Sequence, residues 1–194
     1  PARLAVPTNL GTPGLANSRA VPNAGPAIWD VTHSPVLPRA SQAVTVTARV
    51  SDPDGIADVR AIGRVDGVGT AVNVVLRDDG GFPDSIAGDG VFSGTLSGRA
   101  ASTQVAFRVE ARDGAGMAVT TKFPSEAPLR ECLIRWGEPV PIGSLSHYHM
   151  WTTAATEAAR AQTTPLNNTF RDLTLVYGDQ RVIYNASFKD KGSP

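Results

Sequence analysis

From Ala27 onward the chain alternates apolar and polar residues in short runs, with the period of two that a half-buried β-strand requires. The clearest run is AVTVTARVS, which puts Val44, Val46, Ala48 and Val50 on one face and Thr45, Thr47, Arg49 and Ser51 on the other. AIWDVTH precedes it, and IADVRAIGRV, TAVNVVL, VFSGTL, TQVAFRVEARD and MAVTTKF follow, with turn residues between them. In TQVAFRVEARD the alternation turns Val105, Phe107, Val109 and Ala111 inward and Gln104, Arg108, Glu110 and Arg112 toward water. Seven short strands in about a hundred residues predict an antiparallel β-sandwich of immunoglobulin or fibronectin-III type. The Cys and Trp signature of antibody domains is absent, so stability falls to the two apolar inner faces.

The flanks read differently. Residues 1–26 carry five prolines and no sustained period, the texture of an extended arm or linker. Beyond residue 125 the pattern predicts a small α+β segment. RECLIRWG is a short strand, and SHYHMWTTAATEAARAQ starts with alternation and becomes Ala-rich and helical. Thr152 or Thr153 is placed to cap that helix, with Glu157 in its early turns. DLTLVYGDQRVIYNASF is a β-hairpin turning at Tyr177, Gly178 and Asp179. The expected organisation is therefore an arm over 1–26, a sandwich over 27–125 and a further segment over 126–194.

Charge narrows the partners. The 18 basic residues balance 18 acidic ones, and each part of the chain is nearly neutral, so no segment offers the basic surface that nucleic acid or anionic lipid needs. No run approaches the roughly 20 apolar residues of a membrane span. The single cysteine, Cys132, has no internal disulfide partner and reads as a small buried hydrophobe. The chain opens at Pro1 without Met or an apolar leader, which reads as a processed mature protein or a piece of a longer one.

Candidate chemistry concentrates in LRDDGGFPDSIAGDGVFSGTLSG. Asp78, Asp79, Asp84 and Asp89 sit between two strand-like runs, and Gly80, Gly81, Pro83, Gly88 and Gly90 bend the backbone between them. Several carboxylates and carbonyls can then converge, as calcium requires with its six to eight oxygens in an irregular cage. Turn chemistry alone offers the other explanation, each aspartate capping nearby backbone amides. A second acidic group, Asp52 and Asp54 in SDPDG with Asp113 in DGAG, lies in two loops that fall at one end of such a sandwich and is a weaker cation candidate. His147 and His149 share a strand face, the geometry of a metal pair, although no third His, Cys or Glu stands nearby in sequence to complete a tetrahedron. GSLSH around Ser144 lacks the second glycine of a hydrolase elbow. Asn167 and Asn185 each open a match to the glycosylation acceptor pattern.

The order PTNLGTPGLANS, GPAIWDVTHSPVLP, AVTVTARVSDPDG, DDGGFPDSIAGDGVFSGTL, YHMWTTAAT, TLVYGDQRVIYNASF and KGSP resembles the region leading into the kinase domain of secreted bacterial CotH-type, spore-coat-kinase-like proteins. The resemblance spans essentially the whole chain. It implies the end of a lamin-tail-type domain around Pro13 and Gly14, an immunoglobulin-like module, and the first strands of an atypical kinase fold. Lys191, Gly192 and Ser193 resemble the start of a glycine-containing kinase motif, with Lys where the family has Arg. The family's nucleotide- and metal-binding aspartates have no counterpart here, so the resemblance transfers no catalytic residue.

The expected function is a non-catalytic module that spaces or docks the remainder of a larger secreted or cell-surface protein, stabilised by calcium. Two alternatives accompany it. One is the N-terminal lobe of an atypical kinase, active only with its missing part. The other is an assembly subunit in which strands of neighbouring copies pair into a homo-oligomer.

Overall fold

The computed structural model describes residues 21–114, 116, 118–140, 147–163 and 168–190. Most of the expected arm, Ser144, Asn167 and the Lys191, Gly192, Ser193 motif lie outside these described residues. The chain is mainly β, with antiparallel pairing throughout and one short helix. Strands β1 (Ala27–Ser34), β2 (Val44–Ser51) and β5 (Val91–Leu96) form one sheet in the order β1-β2-β5. Strands β3 (Ile56–Val65), β4 (Ala71–Leu76), β6 (Gln104–Asp113) and β7 (Thr120–Phe123) form a second, in the order β4-β3-β6-β7. The two sheets share a buried cluster in the manner of a sandwich. Val44, Val46, Ala48 and Val50 are buried from one side, and Val105, Phe107, Val109 and Ala111 from the other, as the alternation predicts.

A further strand, β8 (Cys132–Arg135), joins the second sheet by pairing with the first half of β6, while β7 pairs with its second half. β9 (Tyr148–Trp151), β10 (Arg171–Tyr177) and β11 (Arg181–Phe188) build a third sheet in the order β11-β10-β9. Helix α1 (Ala154–Ala161) starts at Thr153, whose hydroxyl accepts from the Thr156 amide at 3.1 Å. Asp66, in the turn after β3, accepts from the Ala154 amide at 2.7 Å and from the Gln104 carboxamide at 3.0 Å, fastening the start of α1 to the sandwich.

The third sheet covers the side of the sandwich where β8 ends the second sheet. Cys132, Leu133 and Ile134 are all buried, so β8 is enclosed on both faces. Side chains of β10 reach its free edge, where the Leu133 amide donates to the Thr174 hydroxyl at 3.1 Å and, just before the strand, the Glu131 amide donates to Asp172 at 2.8 Å. Burial raises the Asp172 carboxyl above the usual carboxylate range, against the pull of that amide and of Arg130. Tyr184 of β11 reaches His33 of β1 and meets the ring of Phe107 of β6 edge-on, with centroids 5.7 Å apart. A register shift at this point of the β10–β11 pair, with Asn185 at φ +57°, marks a bulge beside Tyr184.

His33 is fully enclosed at this junction. Its Nε2–H donates to the Val36 carbonyl at 3.0 Å, so its Nδ1 accepts from the Tyr184 hydroxyl. Burial outweighs the carbonyl's effect and lowers the imidazole from its ordinary 6.5 to about 4. The folded form thus prefers neutral His33, and the unfolded chain binds the proton first. Stability from this group is complete above pH 6.5 and is lost as pH falls toward 4. The loss amounts to about 3 kcal/mol at 1.36 kcal/mol per pKa unit. Urea midpoints of the parent and His33→Gln at pH 7 and pH 4.5 measure it: the parent should lose more stability over this interval than the variant. Equal losses would mean that His33 is not held neutral.

Candidate functional site

The acidic loop crosses between the two sandwich sheets, leaving β4 on the edge of one and entering β5 on the edge of the other. An isolated bridge pins its base, the Arg77 amide donating to the Ser93 carbonyl at 2.9 Å and the Ser93 amide to the Arg77 carbonyl at 2.8 Å. Within the loop, Asp78 is the hub. One of its oxygens accepts from the amides of Gly88 at 2.6 Å and Asp89 at 3.2 Å, and the other from Gly90 at 2.9 Å. These three amides converge because Gly88 and Gly90 take φ +75° and +79°, a left-handed region that residues with a Cβ rarely enter.

Asp84 organises the other half of the loop. Only 7% exposed, it accepts from the Gly80 amide at 2.6 Å and the Ser85 amide at 2.8 Å. These bonds, that from Gly80 foremost, hold its carboxyl below the usual carboxylate range and outweigh the opposing effect of burial. Asp89 accepts from the Val91 amide at 2.9 Å. Carboxylate oxygens of Asp78, Asp84 and Asp89 lie within 4.8 Å of one another, the one such group of three among the described residues. Asp79 stands apart from it, accepting from the Gly81 amide at 2.9 Å and facing Arg77 at 3.8 Å.

The donor set is three carboxylates of hard oxygen, which suits calcium or magnesium and not a thiophilic ion. Each oxygen has two lone pairs, so one amide bond per oxygen leaves capacity for a cation. Asp78, whose one oxygen already accepts twice, contributes mainly through the other. Backbone amides supply part of the positive field that three neighbouring carboxylates require, and a bound cation would supply the rest.

The second acidic group does not assemble. Gly114 donates to the Gly55 carbonyl at 3.0 Å, so the Asp52–Asp54 loop and the Asp113 loop do meet at one end of the sandwich. Their carboxylates do not gather. Asp52 accepts from the Asp54 amide at 2.8 Å, while buried Asp113 accepts from the Asn23 carboxamide at 2.7 Å and the Val119 amide at 3.1 Å. Cys132 is fully buried and its thiol is pushed well above its ordinary range, chiefly by burial, which fits a packing role. Asn185 is gripped by Arg130, which donates to its side-chain oxygen at 2.6 Å. No described helix is long and apolar enough to cross a membrane.

The amide count ranks the aspartates. Asp78→Ala releases three amides and should cost about 1–2 kcal/mol in urea unfolding without divalent ions, by analogy with capping carboxylates. Asp89→Ala releases one amide and should cost less. The reverse order would remove Asp78 from the centre of the loop. Compared with known proteins, the chain matches no family, no curated protein and no solved structure.

Proposed function

We propose that this chain is a structural module of a larger secreted or cell-surface protein, an immunoglobulin- or fibronectin-III-like sandwich that carries the sheet after it in a fixed orientation and is stiffened by calcium in the acidic loop. One observation carries the reading: a single buried cluster runs from Val44 and Phe107 in the sandwich through Ile134 to Trp151, Val176 and Tyr184 in the third sheet. A spacer must transmit orientation, and a shared apolar core does so where a bare linker does not. The strand order supports the type of sandwich. Seven strands divided as β1-β2-β5 and β4-β3-β6-β7 are compatible with an immunoglobulin- or fibronectin-like order in which the fourth strand lies on the edge of the second sheet. The acidic loop presents Phe82, 93% exposed, and Ile86, 62% exposed, as apolar contacts suited to docking.

Rotational diffusion from backbone NMR relaxation tests the rigid coupling. Residues of β2, β6 and β10 should report one tumbling time in the parent, and Tyr184→Ala should separate β10 from the other two. Independent tumbling of the third sheet in the parent would remove the spacer reading.

Calcium is tested separately by thermal melting. A cation that binds only the folded chain adds RT ln(1 + [L]/Kd), about 2.7 kcal/mol at a hundredfold excess over Kd. The parent midpoint should rise with calcium and fall back with EDTA, and Asp84→Asn should lose most of that response. A midpoint indifferent to millimolar calcium leaves the loop held by backbone amides alone and takes calcium out of the function.

A further inference from the structure

The edge strand of the third sheet holds a second donor set, chemically unlike the aspartate loop. His147 lies immediately before β9, with its carbonyl accepting from the Gly178 amide at 3.0 Å, and His149 pairs with Val176 inside β9. Alternation puts His147, His149 and Trp151 on one face of the strand and the exposed Tyr148 and Met150 on the other. The two imidazoles stand with centroids 5.2 Å apart and planes at 88°. The Nε2 atoms of both are shielded from solvent, and neither has a hydrogen-bond partner among the described residues. Two orphaned imidazole nitrogens on one strand face need an explanation, and an ion is among the few that satisfies both together.

Glu138, from the segment after β8, supplies what the sequence spacing could not show. Its Oε2 lies 3.5 Å from Nδ1 of His149, while its Oε1 pairs with Arg135. A carboxylate facing Nδ1 favours the proton there and leaves the Nε2 lone pair free to serve as a ligand, which is how metal-binding histidines are oriented. The ring spacing agrees. Two nitrogens each about 2.0–2.1 Å from one tetrahedral ion place the imidazole centres about 5 Å apart.

We propose that His147 and His149 bind a divalent transition ion of the zinc, copper and nickel class through their Nε2 atoms, with Glu138 positioning His149. Imidazole donors select these ions over calcium and magnesium, so this site and the aspartate loop take different metals. Two protein ligands set a weaker affinity than a four-ligand structural zinc site. Trp151, its ring 6.4 Å from that of His149, is a built-in reporter, since paramagnetic copper quenches a neighbouring indole.

Zinc chloride or copper chloride titrated into the full chain tests this. Zinc should bind in one-to-one ratio by calorimetry and shift the ring resonances of His147 and His149 while leaving those of His33, the one other histidine, unmoved. Copper should quench the parent, and Trp151→Phe should remove most of that quenching. His147→Ala and His149→Ala should each weaken zinc at least tenfold, and Glu138→Gln about 10- to 100-fold. Asp84→Asn and millimolar calcium should leave zinc binding unchanged, separating this site from the acidic loop. The resonance shifts need no substitution, so a variant that fails to fold does not weaken the test. Zinc that leaves the His147 and His149 resonances in place, or that binds a folded variant carrying both His147→Ala and His149→Ala as tightly as the parent, overturns the site.

Discussion

The structure depends on how an open side of the sandwich is closed. Two sheets packed face to face leave their flanks open to water, and here one flank is sealed by Tyr184, reaching His33 on one sheet and Phe107 on the other. The wedge works because its single polar atom has a partner inside. A buried hydroxyl without one would cancel much of the gain from burying the ring. His33 provides that partner only while neutral, with its other nitrogen committed to the Val36 carbonyl, so the junction couples a proton equilibrium to the attachment of a whole sheet. Charged contacts surround it on the outside. Arg64 grips buried Glu131 with both guanidinium nitrogens, and Arg130 reaches Glu126, Asp172 and Asn185.

The aspartate loop solves a different problem with similar means. A chain that crosses between sheets has no ladder to satisfy its amides, and carboxylates take the place of carbonyl partners. Asp78 receives amides ten to twelve residues along the chain, closing the loop on itself, and Asp84 does the same over a shorter span. Both would also be the first oxygens to meet a cation, so the architecture of the loop and its proposed ligand draw on the same atoms.

Alternation made much of this legible. β2 and the inward row of β6 were readable from sequence because buried apolar residues alternate with polar ones, while the helix cap was narrowed to Thr152 or Thr153 and the final hairpin was marked by Gly178. β8 was visible only as a short apolar run. Its three buried residues in succession erase the period of two, so nothing in RECLIRWG announces that it pairs with β6. The grouping of Asp78, Asp84 and Asp89 without Asp79 depended on which amides each side chain reached, a matter of turn geometry. Pairs such as His33 with Tyr184, 151 positions apart, and Glu138 with His149 leave no local pattern at all, because tertiary folding alone brings them together.

The side-chain acceptors along β8 have a consequence for how the molecule fails. An edge strand is normally kept from recruiting foreign strands by charge, twist or brevity, whereas β8 is apolar and has its amides masked by Thr174 and Asp172. Masking by side chains is reversible in a way that a neighbouring strand's full ladder is not. If the third sheet lifts while the sandwich stays folded, the Cys132–Ile134 edge is uncovered with the Leu133 amide unpaired and its side chains apolar, ready to template another chain. The weak point for aggregation is therefore a partly opened native state, and a substitution that loosens the junction without unfolding the sandwich would be more damaging to solubility than one that unfolds everything together.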